Sequence, residues 1–283
     1  MNKKLLLKFL LLTFMSLVIV SVEASEVKTG PAVILYGGKV IAPKVGQLIV
    51  QVHPNGCVAS AWASGFLPTR RLTTIVDEHI SGKEPRTQIT TDLMRAVAQN
   101  NIIDVDRQLA NNAKVNETNT FGCTATLWAV SFAYEDILAL LLTSGADVNQ
   151  TDAIGRSPLM VAAQRGALSI VKNLVSAGAD LFHVQLGGEH EQGNTALHYA
   201  AERAQNSAVI GYLLEQGLDI DAVNEAGQSA LMHAARRGNL ENIQILLKAG
   251  ANPHLNDKNG DTALGFAKWK KHSAVEKVLG RYQ

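Results

Sequence analysis

Beyond residue 89 the apolar positions follow a helical period that is broken and restarted at regular intervals. Leu93, Ala96, Val97, Val105 and Leu109 sit at helix spacing. Further along, Gly193-Asn194-Thr195-Ala196-Leu197-His198-Tyr199-Ala200-Ala201 leads into a second apolar run, Val209-Ile210-Gly211-Tyr212-Leu213-Leu214. The same order returns at Gly155-Arg156-Ser157-Pro158-Leu159-Met160-Val161-Ala162-Ala163, at Gly227-Gln228-Ser229-Ala230-Leu231-Met232-His233-Ala234-Ala235 and at Gly260-Asp261-Thr262-Ala263-Leu264-Gly265-Phe266-Ala267. A weaker copy starts at Gly122. Gly122 to Gly155 is 33 residues, Gly193 to Gly227 is 34 and Gly227 to Gly260 is 33. A fixed period of this length predicts a solenoid of helix pairs.

Each copy carries its own start and stop signals. A Thr or Ser before the first apolar residue is a good N-cap, because its hydroxyl accepts an amide proton of the first turn. The alanine pair lets a neighbouring helix come close. Gly145, Gly178, Gly217 and Gly250 stand where a left-handed residue would close the second helix. Residue Lys268 replaces the second alanine in the last copy, so that face is expected to meet water as a polar cap. Gly155 to Gly193 is 38 residues, and the excess falls around Gln185-Leu186-Gly187-Gly188-Glu189-His190-Glu191. That insertion is expected to lengthen one loop on the side where such arrays bind.

These residues resemble the ankyrin repeat. The family order Gly-x-Thr-Pro-Leu-His-x-Ala-Ala is met best by Thr195, Leu197 and His198, and the Gly-Ala-Asp-Val-Asn ending by Gly145, Ala146, Asp147, Val148 and Asn149. The family His is Leu127, Met160, Met232 or Gly265 elsewhere, and Thr126 replaces the expected Leu. The resemblance implies a mainly α fold, an ankyrin solenoid of six units near 89–119, 120–152, 153–191, 192–225, 226–258 and 259–283. It also implies that first-helix positions lie towards a concave binding face.

Residues 25–88 do not follow the repeat and predict a small β-rich (α+β) unit. Ala32 to Tyr36 and Lys39 to Ala42 flank a Gly37-Gly38 turn, and Gln47 to His53 meets Pro54-Asn55-Gly56 before a returning strand from Cys57 to Ala63. A helix is expected from Thr69 to Ile80. This order resembles the C-terminal domain of TonB-type periplasmic proteins over about residues 32–82, on Gly46, Val50, Val52, Asn55, Gly56, Val58, Ser64, Gly65 and Leu72. The Tyr-Pro pair of that family is missing; Ala42-Pro43 is all that remains. The resemblance implies a sheet edge able to accept a partner's strand. A plain β-rich cap on the front of the solenoid is the other reading.

Residues 1–24 read as a signal peptide. Lys3, Lys4 and Lys8 form its charged end, Phe9 to Val22 its apolar run, and Val22-Glu23-Ala24 a small-residue cleavage site. An uncleaved anchor is the alternative. Cleavage would remove Lys3, Lys4, Lys8 and Glu23 and move the formal charge from +1 to −1. A nearly neutral chain argues against nucleic acid or membrane-surface binding through bulk charge. The expected location is the bacterial periplasm or the medium. There the two cysteines, Cys57 and Cys123, are able to pair as a disulfide across the two parts of the chain, or to remain as buried thiols.

No catalytic constellation is present: there is no nucleophile elbow, Walker loop, zincin motif or dinucleotide turn. No cofactor is implied. His183, Glu189, His190, Glu191 and His198 lie close in sequence but match no metal-site spacing, and Asp219, Asp221 and Asn224 lack the glycine and late Glu of a calcium loop. The useful signal is positional. The residue before the first alanine reads Arg95, Trp128, Val161, Tyr199, His233 and Phe266; three positions after that alanine stand Gln99, Phe132, Arg165, Arg203, Arg237 and Lys270. Exposed aromatics and Arg dominate protein interfaces. Arg95, Trp128, Phe132, Arg165, Tyr199, Arg203, His233, Arg237, Phe266 and Lys270 are therefore the expected contact residues, unless Trp128 and Phe266 pack between repeats. The expected function is a monomeric, non-catalytic module that holds an acidic protein partner on its concave face, as inhibitor or immunity protein of an envelope-acting enzyme. An exported effector that binds host proteins and an envelope adaptor that captures a strand are the alternatives.

Overall fold

A computed structural model describes residues 91–119, 122–187, 191–204 and 206–282, together with four short strand segments near the front of the chain. Those strands, Ile34–Tyr36, Lys39–Ile41, Gln51–Val52 and Ala59–Ser60, form one sheet. The first two pair antiparallel, as do the last two, and the first and third pair parallel. The signal segment and the helix expected at Thr69 to Ile80 lie outside the described residues.

From Thr91 onward the chain is six successive helix pairs. They are α1 (Asp92–Ala98) with α2 (Ile102–Ala110), α3 (Ala125–Phe132) with α4 (Glu135–Thr143), and α5 (Pro158–Arg165) with α6 (Leu168–Ser176). Then follow α7 (Ala196–Ala201) with α8 (Ser207–Glu215), α9 (Ala230–Arg237) with α10 (Leu240–Lys248), and α11 (Ala263–Lys270) with α12 (Ser273–Leu279). The odd-numbered helices pack on one another in an inner layer and the even-numbered ones in an outer layer. Ala129, Ala162, Ala163, Ala200, Ala201, Ala234, Ala235 and Ala267 are fully buried between inner helices, which is why no larger residue stands there. One continuous apolar core runs from Leu93 to Leu279. No repeat alone could bury such a face.

The inner helices start where the hydroxyl caps predict. Thr91, Thr124, Ser157, Ser229 and Thr262 accept the backbone N–H of Met94, Leu127, Met160, Met232 and Gly265. At the fourth repeat the cap is reciprocal: the Thr195 N–H donates to His198 Nδ1 at 3.2 Å, while His198 Nε2 reaches the Gln228 carbonyl of the next repeat at 2.8 Å. Accepting at Nδ1 leaves the proton on Nε2, so the ring is neutral and bridges two repeats.

Each repeat reaches the next through polar side chains as well. In the finger loops, Asn119, Asp152, Asn224 and Asp257 fold back on backbone N–H groups of their own turns. One turn earlier, Asn116, Asn149 and Asp221 accept the N–H of Asp147, Asp180 and Asn252, each in the following repeat, at 2.8–2.9 Å. The five-residue excess leaves this frame intact. Gln185 takes the place of the turn-forming Asp or Asn, is wholly buried, and accepts from the Tyr199 hydroxyl. The single extra residue in the fourth repeat lies between α7 and α8.

Gly193 opens the fourth repeat with φ +83°, and a Cβ there would lie 2.8 Å from the Glu225 nitrogen of the next finger. That nitrogen donates to the Gln192 carbonyl at 2.9 Å. Gly193→Ala is expected to cost about 2 kcal/mol, from left-handed strain plus displacement of this inter-finger bond. The midpoint of urea denaturation checks it; an unchanged midpoint would show the finger to be free to move.

Candidate protein-binding face

The inner helices α3, α5, α7 and α9 are enclosed on three sides, by the helices before and after them and by the outer layer. Every residue of α5 from Pro158 to Ala163 is buried, and so is every residue of α9 from Ala230 to Ala235. In α5, α9 and α11 the exposed residues are confined to the last turn. This geometry corrects three of the ten expected contact residues. Tyr199, His233 and Phe266 are buried, because the position before the first alanine points into the stack. Trp128 is half-buried against the core and meets Phe132 edge-on at 6.0 Å, and Phe132 stacks on Tyr134 at 5.5 Å. Arg95 pairs with Asp92 in its own helix.

The other column stands as a surface feature. Arg165, Arg203, Arg237 and Lys270 are all exposed, at one position in four consecutive repeats. Beside them runs a second column, Gln164, Glu202, Arg236 and Trp269. Glu202 is the notable member: its side chain is only 4% exposed, within 3.5 Å of the Arg236 guanidinium and 3.7 Å of that of Arg237. His233 Nδ1 lies 3.3 Å from the same oxygen, and Gln164 donates to the other at 3.2 Å. Burial alone would raise the Glu202 pKa, but His233, Arg237 and Gln164 together hold it down at about 2. Two guanidiniums thus share one carboxylate, and the ladder stays positive there. Among the described residues no ion-pair partner faces Arg165 or Arg203, and burial together with repulsion from Arg203 lowers the pKa of Arg165.

Sequence reasoning missed three contributors. Trp269 is 67% exposed, with the Lys270 ammonium 3.9 Å above its ring. Phe182 is 67% exposed and Leu186 71% exposed on the lengthened finger, with Val184 exposed between them and Val223 exposed in the next finger. Phe182 occupies the column in which Asn116, Asn149 and Asp221 bind the next repeat, so its side chain gives up an inter-repeat hydrogen bond. Aligning the copies would have revealed that substitution.

The polar groups near the insertion are structurally employed. His183 Nε2 lies 2.9 Å from the Gly155 carbonyl, and His198 is occupied in its cap. Glu189 and His190 lie outside the described residues. Asp219 and Asp221 act in turns, Asp219 on the N–H of Asp221 and Asp221 on that of Asn252. Cys123, also buried, is disulfide-bonded, and the chain's other cysteine is Cys57.

Comparison with known proteins agrees with the stack. The family model described as ankyrin repeats matches three overlapping stretches, residues 93–185, 153–224 and 197–282. The chain is 31% identical over 243 residues to the B-cell lymphoma 3 protein homolog of Mus musculus, covering 84% of this chain and 52% of that protein. It is 40% identical over 91 residues to the probable E3 ubiquitin-protein ligase XBOS32 of Oryza sativa subsp. japonica, over 31% of this chain and 18% of that one. The chain therefore spans about half the length, or less, of these curated relatives. A solved chain from the complex of the Bd0816 predatory endopeptidase of Bdellovibrio bacteriovorus with immunity protein Bd3460 matches with a TM-score of 0.62 and 26% identity, over 69% of this chain and 100% of that one. With six stacked helix pairs and a family match from residue 93 to 282, the chain belongs to the ankyrin repeat family, whose repeats bind other proteins.

Proposed function

We propose that this chain is an exported bacterial protein that holds a protein partner on its concave face and silences it, as an inhibitor or immunity protein for an enzyme acting in the cell envelope. The observation that carries the binding surface is Phe182. A position that elsewhere ties one repeat to the next is given over to an exposed aromatic. Stability forgone at a surface position is the mark of a functional site. The cation ladder lies at the opposite end of the inner helices from the fingertips, roughly 12 Å away along an eight-residue helix. A partner that meets both must be a folded surface rather than a single strand. The similarity to a chain from an endopeptidase–immunity protein complex supports the inhibitor reading. The signal-like segment and the disulfide at Cys123, which pairs with Cys57 in this proposal, support export to an oxidising compartment.

The test is Phe182→Asn. Asn restores the missing acceptor towards the next repeat, so the variant is expected to be more stable by about 1 kcal/mol. Capture of the partner from a periplasmic extract is expected to fall at least tenfold. A variant that gains stability and still captures its partner would remove the finger from the binding surface.

A further inference from the structure

The stretch that closes the third repeat has its polarity turned inside out. Leu181, His183 and Gln185 point inward. Leu181 packs on the core, His183 Nε2 lies 2.9 Å from the Gly155 carbonyl, and Gln185 bonds Asn194 through its backbone and Tyr199 through its side chain. The alternate residues Phe182, Val184 and Leu186 face solvent. Alternation in an extended segment normally buries the apolar set and exposes the polar one. The preceding finger obeys that rule better: Asn149, Thr151 and Ala153 stand at the three matching positions, counted from the closing glycine. The following finger has Asp221, Val223 and Glu225 there. Val223 is exposed in the same register as Val184, so the apolar strip widens across one repeat. A contiguous exposed apolar patch with a polar rim marks a surface that another molecule covers.

The rim has a sign. Residues 145–156, 178–193 and 217–228, the three fingers around the strip, hold eight Asp and Glu, no Lys and one Arg. That Arg156 is taken up by Asp152 at 2.8 Å. Asp180, Asp219 and Glu225 are exposed, and none of them is in an ion pair among the described residues. The fingers are therefore acidic, whereas the far ends of the inner helices are basic.

We infer that the strip from Phe182 to Leu186 seats an apolar loop of the protein partner that is flanked by Lys or Arg. This rests on the reading of the finger side as part of the binding surface and adds what the partner presents to it. Four steps of about 3.3 Å make the strip about 13 Å long, which matches about five extended residues of the partner. Burial of the apolar side chains supplies affinity, and the acidic rim selects the flanks. A polyanion or an anionic lipid surface is repelled by the same rim.

The probe is a set of three fluorescein-labelled peptides: a Leu-Thr-Leu-Thr-Leu core flanked by Lys-Lys on both sides, the same core flanked by Ser-Ser, and an all-Thr core flanked by Lys-Lys. Binding to the full chain is read by fluorescence anisotropy at low salt, where surface charge is least screened. The Lys-flanked Leu peptide is expected to bind about fivefold tighter than the Ser-flanked one and about tenfold tighter than the all-Thr one. Val184→Thr with Leu186→Ala, which installs the residues of the preceding finger, is expected to weaken its binding about tenfold. Asp221→Asn with Glu225→Gln keeps the side-chain acceptor that Asn149 supplies at the Asp221 position. That pair is expected to weaken the Lys-flanked peptide about threefold and leave the Ser-flanked one unchanged. Circular dichroism establishes that each variant is folded; should the apolar pair not fold, the flank preference and the charge pair decide alone. No binding of any peptide, equal affinity for Lys and Ser flanks, or indifference to both variants overturns the inference. So does a concentration-dependent dimer in sedimentation velocity that Val184→Thr with Leu186→Ala dissolves, because a second copy would then cover the strip. These outcomes leave the broader reading standing, which Phe182→Asn tests separately through capture of the partner.

Discussion

Lowering the pH from 7 to 5 is expected to cost the solenoid about 2 kcal/mol of stability through His198 alone. The ring is completely buried, and burial, with the nearby His233 ring, depresses its pKa from 6.5 to about 3 despite the favourable Gln228 carbonyl and Glu202. In the unfolded chain it titrates near 6.5. Between those two values the unfolded state binds a proton that the folded state refuses, so stability falls as the pH falls. The loss begins just below neutrality and runs down to about pH 3. Glu202 acts in the same direction but lower: its folded pKa of about 2 lies below the unfolded value of 4.5, so its contribution is present above 4.5 and lost towards 2. The two effects are separable by pH. His198→Gln is expected to flatten the stability profile between pH 7 and 5 by about 2 kcal/mol, whatever it costs at neutral pH. Urea titrations at several pH values give the slope; an unflattened profile would mean that another group carries the proton.

The second large effect is expected at Asn206. Its side chain is buried and its Nδ2 donates towards the Ala163 carbonyl at 3.0 Å and the Ala200 carbonyl at 3.1 Å, with the Gln164 carbonyl at 3.3 Å. One amide thus ties the end of α5 to the end of α7. The same position in later repeats does a smaller version of this work: Asn239 donates to the Ala201 carbonyl at 2.9 Å, and His272 Nε2 lies 3.2 Å from the Arg236 carbonyl. Asn206 matters more because its amide reaches three carbonyls where that of Asn239 reaches one. Asn206→Ala is expected to cost about 2–3 kcal/mol, since it strips buried carbonyls of a donor. Asn239→Ala is expected to cost less than half as much. Equal losses at both positions would show that the additional acceptors of Asn206 add nothing. The fit is tight from the other side as well. A Cβ on Gly166 would fall 2.1 Å from the Asn206 Oδ1, so Gly166→Ala should push the amide off its acceptors.

Much of this was open to reading before any coordinates. The period, the hydroxyl caps, the closing glycines and the cation column rest on local residue types whose effect does not depend on neighbours. The aromatic column was harder. Tyr199, His233 and Phe266 stand on helices whose exposed arc is set by the helices packed around them, and a single-helix pattern does not reveal how narrow that arc is. Glu202 and Asn206 were missed for a related reason. Each is an ordinary polar residue in sequence, and each acquires meaning only through groups 31 to 43 positions away in the chain. Phe182 was within reach, because the copies themselves show that Asn or Asp belongs there.

The lengthened finger carries one more consequence. Gln185 before the extra residues and Tyr199 after them meet inside the stack, and Gly193 resumes the frame. Whatever the loop presents outward is thereby uncoupled from how the scaffold assembles. Peptides of other lengths and compositions grafted between Gly187 and Glu191 should therefore leave the scaffold's assembly unaltered, and the molecule could exchange one target for another without relearning how to fold.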